Sequence, residues 1–237
     1  MKVLGMKNNI GLLFSHLHVR ESEKFKFNML EYCLDTFDET DLELQYFLSG
    51  HGVRVPEEIQ KRFSNIYWEP EIDPNEIGRG HPRFCIQGYE MMKRAGISQT
   101  IKLRASDIIQ NIPKLAAELE TGKIVLTEQT SVDNGIVGDL FMAGPVEEML
   151  SIWKEKAWNY AKSGLYNLFD NISSIAAKNN MSTQKYLEQN AHFVTPQEIG
   201  WVTLDNNWNN DTKKPSNPLG PSDVWGIKQG YRHYGGF

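Results

Sequence analysis

The stretch that decides the fold is IGLLF followed by SHLHVRESEKFKFNMLEYCLDTF, residues 10–37. Ile10–Phe14 is an apolar run with the length of a buried strand. Ser22–Phe37 then repeats apolar residues at helical spacing, so that one helical face carries Phe25, Met29, Leu30, Cys33 and Phe37. A short β-rich run followed by an amphipathic helix is the opening of an α/β domain.

The same alternation continues through the first two thirds of the chain and predicts a largely parallel sheet covered by helices. Further strands are predicted at Leu42–Leu48, Asn65–Trp68, Thr100–Leu103, Lys123–Thr127 and Val137–Met142. Helices are predicted at Pro56–Phe63, from Pro82 to a stop at Gly96, at Ile112–Leu119 and at Pro145–Trp158. Beyond Trp158 the pattern is mainly helical to Asn190, with a cap at Ser182. We expect one domain over residues 1–205. An irregular tail over residues 206–237 would pack on it, because Asn, Pro, Gly and aromatic residues dominate there.

Composition limits the classes of partner. The net charge of -5 and pI of about 5.7 argue against broad binding to nucleic acid. The sequence has no apolar run of about 18 residues, so no transmembrane segment is predicted and the expected location is the cytoplasm, of the cell itself or of a host. Cys33 and Cys85 lack metal-ligand spacing and are predicted to be buried thiols.

Polar residues directly after the strands are the first site candidates, because ligands of open α/β sheets bind outside the carboxyl ends of the strands. This rule selects only a few groups. The candidates are Ser15, His16, His18 and Arg20 after the first strand, Ser49 and His51 after the second, Arg104, Ser106 and Asp107 after the fourth, and Asp133 and Asp139 around the last.

Asp107 is the strongest candidate for an active-site residue. A carboxylate at a strand end can hold a divalent cation, Mn²⁺ or Mg²⁺, that bridges the phosphates of a leaving nucleoside diphosphate. The alternative is that Asp107 fixes the following turn. Arg104 interrupts an apolar strand and would bind Asp107 or a donor phosphate, or else form a structural ion pair. Asp139 is the candidate general base for an acceptor hydroxyl, or alternatively a loop carboxylate.

The spacing His16-x-His18 also suggests a zinc site of the kind found in barrel hydrolases. Further ligands would have to come from His51, His81, His192 or His233, and the chain is short of eight strand-helix units. A contact to phosphate or to a base is therefore the favoured interpretation of these histidines.

Two blocks resemble a known family. Ile101–Asp107 and Gly138–Gly144 are similar to motifs of the WavE-type lipopolysaccharide-synthesis proteins, which are related to the GT-A glycosyltransferases. The resemblance implies a GT-A-like three-layer α/β fold with a mostly parallel central sheet, a nucleotide-sugar donor and a glycan acceptor. It places Asp107 at the end of a metal-binding Asp-x-Asp motif, although Ala105 stands in place of the first acid.

The resulting hypothesis is a glycosyltransferase of polysaccharide biosynthesis. The nucleotide would be bound by Ser15–Arg20 and Ser49–His51. The diphosphate would be bound by Asp107 with Arg104, and Asp139 would activate the acceptor. Aromatic faces pack against sugars, so contacts are expected from the loop 69–82 and from the tail, with Trp225, Tyr231 and Tyr234. A metal-dependent hydrolase built on His16 and His18 and a non-catalytic glycan-binding or assembly protein are the alternatives.

Overall fold

The computed structural model describes residues 9–70, 77–127, 141–155, 168–204 and 208–215, and for residues 77–81 it describes the backbone only. Outside the described residues lie Asp133, Asp139, Trp225, Tyr231 and Tyr234.

The centre of the molecule is a seven-stranded sheet with the order β3-β2-β1-β4-β7-β6-β8. Its strands are β1 (Ile10–Val19), β2 (Leu44–Gly52), β3 (Asn65–Glu69), β4 (Gln99–Leu103), β6 (Ile124–Thr127), β7 (Met142–Pro145) and β8 (Ala191–Val194). All neighbouring pairs are parallel except the two that β7 makes with β4 and β6. Two small antiparallel pairs complete the described strands: β5 (Asp107–Ile109) with β9 (Trp201–Thr203), and β10 (Trp208–Asn209) with β11 (Lys214–Pro215).

Helices cover both faces of this sheet. The described helices are α1 (Phe25–Asp38), α2 (Glu57–Gln60), α3 (Ile77–Arg94), α4 (Ile112–Leu119), α5 (Val146–Lys154), α6 (Phe169–Lys178), α7 (Thr183–Asn190) and α8 (Pro196–Ile199). Buried residues of α1, α2, α4 and α8 share one core cluster, and those of α3, α5, α6 and α7 share the other. The predicted three-layer α/β architecture with a mostly parallel sheet is therefore confirmed.

The alternation of side chains along β1 assigns its two faces. Leu12 and Phe14 pack into the cluster that contains α1, while Leu13 packs into the cluster that contains α3. We call these sides of the sheet the α1 face and the α3 face. Because successive side chains of a strand point to opposite faces, Ser15 shares the α3 face with Leu13.

Several predicted boundaries were wrong. β1 and β2 run on to Val19 and Gly52, so that their polar ends belong to the strands rather than to loops. The segment 69–82 was expected to be wholly irregular, yet α3 begins at Ile77 and includes Pro82 in its interior. Pro82 falls in the second turn, where it lacks the N–H that would donate to the carbonyl of Gly78, so the helix loses one backbone hydrogen bond there.

Most of the strand predicted at Val137–Met142 lies outside the described residues, and the described strand β7 runs from Met142 and includes Gly144 and Pro145. Gly144 has a φ of +147°, a conformation in which side chains are strained, and this lets the antiparallel strand pass close to β6. The predicted stop of α3 at Gly96 is confirmed, because Gly96 has a φ of +73° after the last turn.

The order of the strands reverses between β1 and β4. From β1 the chain proceeds to β2 and β3 on one side, then returns to place β4 on the other side of β1. In open α/β sheets such a reversal leaves a crevice at the carboxyl ends of the two strands, which is where ligands bind. Among the helices of the described part, none is both long and apolar enough to cross a membrane.

Candidate functional site

The carboxyl end of β1 contains a bulge and two histidines, His16 and His18. The pairing of β1 with β2 shifts register between Phe14 and Leu17, and His16 within this bulge has a φ of +57°. A residue other than glycine in this region is uncommon and is held there by its surroundings. The bulge thus sets the direction of His16 and restores the pairing so that His18 lies opposite His51 of β2.

Three histidines and one phenylalanine form a stack on the α3 face, which we call the histidine cluster. The rings of His18 and His51 are 4.3 Å apart between centroids with an interplanar angle of 12°. Phe84 of α3 lies 5.2 Å from His51 and 5.7 Å from His16, also with nearly parallel rings. The structure therefore brings together His16, His18 and His51, which the sequence placed after two different strands.

Buried polar atoms surround this stack. Ser15, Ser49 and His51 are 1%, 0% and 0% exposed. In the described part of the chain, their hydroxyl oxygens and both ring nitrogens of His51 have no hydrogen-bond partner. An unsatisfied buried polar group costs about 1–3 kcal/mol, so several of them at one strand edge indicate a place where water or a ligand completes the hydrogen bonds.

The imidazole of His51 is neutral near pH 7. Burial lowers its pKa to about 4, and the positive charges of His18, Arg83 and Lys26 act in the same direction. A neutral imidazole carries one donor and one acceptor nitrogen. His51 can therefore recognise a neutral group that offers both an acceptor and a donor.

The outer side of the cluster contains residues that the sequence analysis missed. Tyr67 of β3 donates its hydroxyl hydrogen to Glu69, and Arg83 of α3 donates to the other carboxylate oxygen of Glu69. The Arg83 guanidinium also lies 5.4 Å from the centre of the Phe84 ring. The signal that could have found this group is Tyr67-x-Glu69, because alternate residues at the end of the strand predicted at Asn65–Trp68 share one face.

Lys102 is a further buried polar residue of the central sheet, in the same strand as the buried Thr100. It is 0% exposed within β4, pairs in register with Leu13 of β1, and its ammonium lies 5.5 Å from the Trp153 ring. A lysine inside a buried strand is uncommon, and its position in the predicted strand Thr100–Leu103 was visible in the sequence.

Arg104 and Asp107 form an ion pair, one of the two roles considered for Arg104. Arg104 Nη2 donates to Asp107 Oδ1 at 2.8 Å and Nε donates to Oδ2 at 3.2 Å. Nη2 also donates to Thr203 of β9 at 3.0 Å. Asp107 is 0% exposed and lies within β5, whereas the sequence placed it at the open edge of the sheet. Both of its carboxylate oxygens are thus bound by Arg104.

The neighbours of this pair have structural contacts as well. The backbone carbonyl of Ser106 accepts from Leu204 at 2.8 Å, which ties the β4–β5 turn to the end of β9. Arg20 is exposed and begins the turn Glu21–Glu23, with its backbone N–H donating to Glu23. The candidates thus divide between the histidine cluster, which packs under α3, and the Arg104–Asp107 pair, which belongs to the β5–β9 sheet.

The described residues do not fit a metal site. No group of three or more His, Cys, Asp or Glu side chains in the described ranges is arranged to hold a metal ion. Ligand lone pairs of imidazole lie in the ring plane, and the nearly parallel rings of His18 and His51 direct theirs along parallel planes that do not meet at one ion. A cation at Asp107 would have to displace the Arg104 guanidinium.

Cys33 and Cys85 are buried, as predicted, and neither forms a disulfide. The thiol of Cys33 donates to the carbonyl of Ala105 at 3.5 Å, so that α1 contacts the turn before Asp107. These cysteines are part of the core on either face of the sheet.

Comparison with solved structures finds chains that are similar to this one. A solved structure from Desulfovibrio desulfuricans G20, provisionally named a nucleotide-diphospho-sugar transferase, is similar with a TM-score of 0.44 and 9% sequence identity, over 87% of this chain and 91% of that chain. No protein-family model and no curated protein sequence matches the chain. The WavE-type resemblance of the two sequence blocks thus stays a prediction, and at this level of similarity the neighbour carries no information on activity.

Proposed function

We propose that the chain is a glycosyltransferase that binds the nucleotide of a nucleotide-sugar donor at the histidine cluster. One observation carries the proposal: buried polar atoms of Ser15, Ser49 and His51, without partners among the described residues, lie at the carboxyl ends of β1 and β2, beside the reversal of strand order. A ligand at this edge would complete their hydrogen bonds.

The chemistry of the cluster suits a nucleobase. A base is flat and neutral, presents both donors and acceptors on its edge, and stacks on aromatic side chains, histidine included. His18, His51 and Phe84 provide parallel ring faces, while the serine hydroxyls and the neutral imidazole of His51 provide hydrogen-bonding groups. The nearby Arg83 pairs with Glu69, and the remaining donors of its guanidinium can bind a phosphate.

The sugar-transfer step rests on the resemblance of Ile101–Asp107 and Gly138–Gly144 to the WavE-type motifs. In the proposed reaction an acceptor hydroxyl oxygen forms a bond to the anomeric carbon, the bond from that carbon to the diphosphate breaks, and the nucleoside diphosphate leaves. Asp139 would take the proton of the hydroxyl. No step is assigned to a metal, since the described residues do not form a site for one.

The test is a thermal-shift and calorimetric titration with UDP, GDP, ADP and CMP, in the presence and absence of Mn²⁺. We expect at least one nucleotide to raise the Tm of the wild type, and Ser49→Val and His18→Ala to reduce that increase at least threefold. His192→Ala is the matched control, because His192 lies in the edge strand β8 and pairs with Glu118.

Absence of a shift with every nucleotide would refute the donor site and favour the non-catalytic glycan-binding alternative. Turnover is then measured as nucleotide released from the corresponding nucleotide sugars when a mixture of glycan acceptors is added. Nucleotide binding without any release, with all donors and acceptors supplied, would refute the transferase assignment while leaving the nucleotide site in place.

A further inference from the structure

A cavity of about 450 Å³ opens on the α1 face, at the same edge of the sheet as the histidine cluster but on the opposite side. Its walls are the first turns of α1, the connection 53–56 that follows β2, and α2. We call it the α1 cavity. Its volume falls within the range of about 300–1,000 Å³ of small-molecule sites.

One wall carries polar groups along a single stripe of the helix. Lys24, Asn28 and Glu31 are spaced four and three residues apart, so they lie one above another on α1. Asn28 and Glu31 are half-buried, and neither side chain has a hydrogen-bond partner among the described residues. The amide offers a donor and an acceptor, and the carboxylate offers acceptors, for a ligand inside the cavity.

The opposite wall adds a third acceptor and apolar surface. Glu58 of α2 lines the cavity, and its carboxylate has no ion-pair or hydrogen-bond partner in the described part of the chain. Half-buried Val53 and Phe25 contribute hydrocarbon and an aromatic side chain, and the buried Ile59 contributes to the apolar lining. Acceptors next to an aromatic surface form a lining that can hold hydroxyl groups and C–H surface together.

The charges around the cavity disfavour an anionic ligand. Lys24 and Arg54 are the lining cations, but Lys24 pairs with Glu21 and Arg54 lies 3.9 Å from Glu57. An anion would therefore meet two carboxylates, Glu31 and Glu58, opposed by cations that are already partly neutralised. A metal ion would lack a third carboxylate, histidine or thiolate ligand among the described residues.

We infer that the α1 cavity binds a neutral saccharide unit, with hydroxyl groups donating to Glu31, Glu58 and Asn28 and the sugar ring packing against Phe25. The site is separate from the proposed nucleotide site, because the sheet lies between them. Either one can fail without the other.

The experiment is saturation-transfer difference NMR on the full chain with glucose, galactose, N-acetylglucosamine, maltose and lactose at millimolar concentration. We expect transfer to at least one of these saccharides. Asn28→Leu and Glu31→Gln each should weaken the affinity for that saccharide at least fivefold. Glu57→Gln is the matched control, since Glu57 is exposed in the same helix as Glu58 and does not line the cavity.

Three results would overturn the inference. The first is no transfer to any of the saccharides. The second is transfer that persists unchanged in Asn28→Leu, in Glu31→Gln and in Val53→Trp, which fills the cavity. Competition of inorganic phosphate with a bound saccharide would equally contradict it, because that would make the site an anion site. UDP titrations of Asn28→Leu distinguish failure of the saccharide site from failure of the donor site, because nucleotide binding should be unchanged in that variant.

Discussion

Asp107→Asn is expected to destabilise the folded protein strongly. The substitution removes the negative charge from a side chain that is 0% exposed, and an amide cannot accept both donors that the Arg104 guanidinium now directs at the two carboxylate oxygens. The backbone N–H of Arg104 also lies 3.4 Å from Asp107 Oδ2. Arg104 would keep the Thr203 hydroxyl as an acceptor, but the amide oxygen could accept only one of the two donors that the carboxylate now binds.

The size of the effect follows from burial. Removing one partner of a buried ion pair costs about 3–5 kcal/mol, because the remaining charge is left uncompensated. The Arg104 side chain is 24% exposed and keeps some contact with water, so we expect the lower end, about 3 kcal/mol. At about 2–4 °C per kcal/mol for a domain of this size, the Tm should fall by about 6–12 °C.

The assay is urea unfolding followed by tryptophan fluorescence and circular dichroism, which report on tertiary and secondary structure. Arg104→Met combined with Asp107→Leu should be less destabilised than Asp107→Asn alone, because it leaves no unpaired charge. Glu147→Gln breaks the exposed Lys93–Glu147 pair and should leave the midpoint unchanged. A decrease of less than about 1 kcal/mol in the free energy of unfolding of Asp107→Asn would refute a structural role for Asp107 and would favour the metal-binding hypothesis.

Three further predictions concern stability. Gly50→Ala should lower the free energy of unfolding by about 1–3 kcal/mol in urea titrations, because a Cβ at this position would lie 2.2 Å from the backbone oxygen of Leu17 on the neighbouring strand. His51 binds a proton less readily in the folded protein, where its pKa is about 4, than in the unfolded chain, where it is 6.5. The contribution of His51 to the free energy of unfolding is therefore complete above pH 6.5 and is lost as the pH falls towards 4. Unfolding measured across this range should show a pH dependence that corresponds to about one proton, and His51→Phe should abolish it. Ser182→Ala should cost about 1 kcal/mol in thermal unfolding, because the Ser182 hydroxyl caps α7 by accepting from the Lys185 backbone N–H.

Much of the fold could be predicted because its signals are local. Ile112–Leu119 was predicted with the observed bounds, since Pro113 and the apolar spacing mark its beginning and face. The cap at Ser182 and the stop at Gly96 were also predicted from single residue types. The start of α3 could not be read in the same way, because a proline suggested the first turn while the helix begins five residues earlier at Ile77.

The candidate site could be predicted only in part. The rule that ligands bind at strand ends selected His18 and His51, and the structure brings their rings together. Phe84 could not be selected, because it comes from a helix whose packing over β2 is a long-range contact. Asp107 was selected for the same reason as the histidines, yet β9, more than ninety residues later in the chain, pairs with β5 and buries it.

The sequence by itself determined the alternation of strands and helices, the ends of several helices and the polar residues that follow the central strands. These features depend on residues that are a few positions apart, so they can be predicted from local sequence. Only the tertiary structure decided which polar side chains meet, which face of the sheet they occupy and which are shielded from water. Those properties arise from strand register and from contacts between distant segments, and they separate the buried Arg104–Asp107 pair from the histidine cluster.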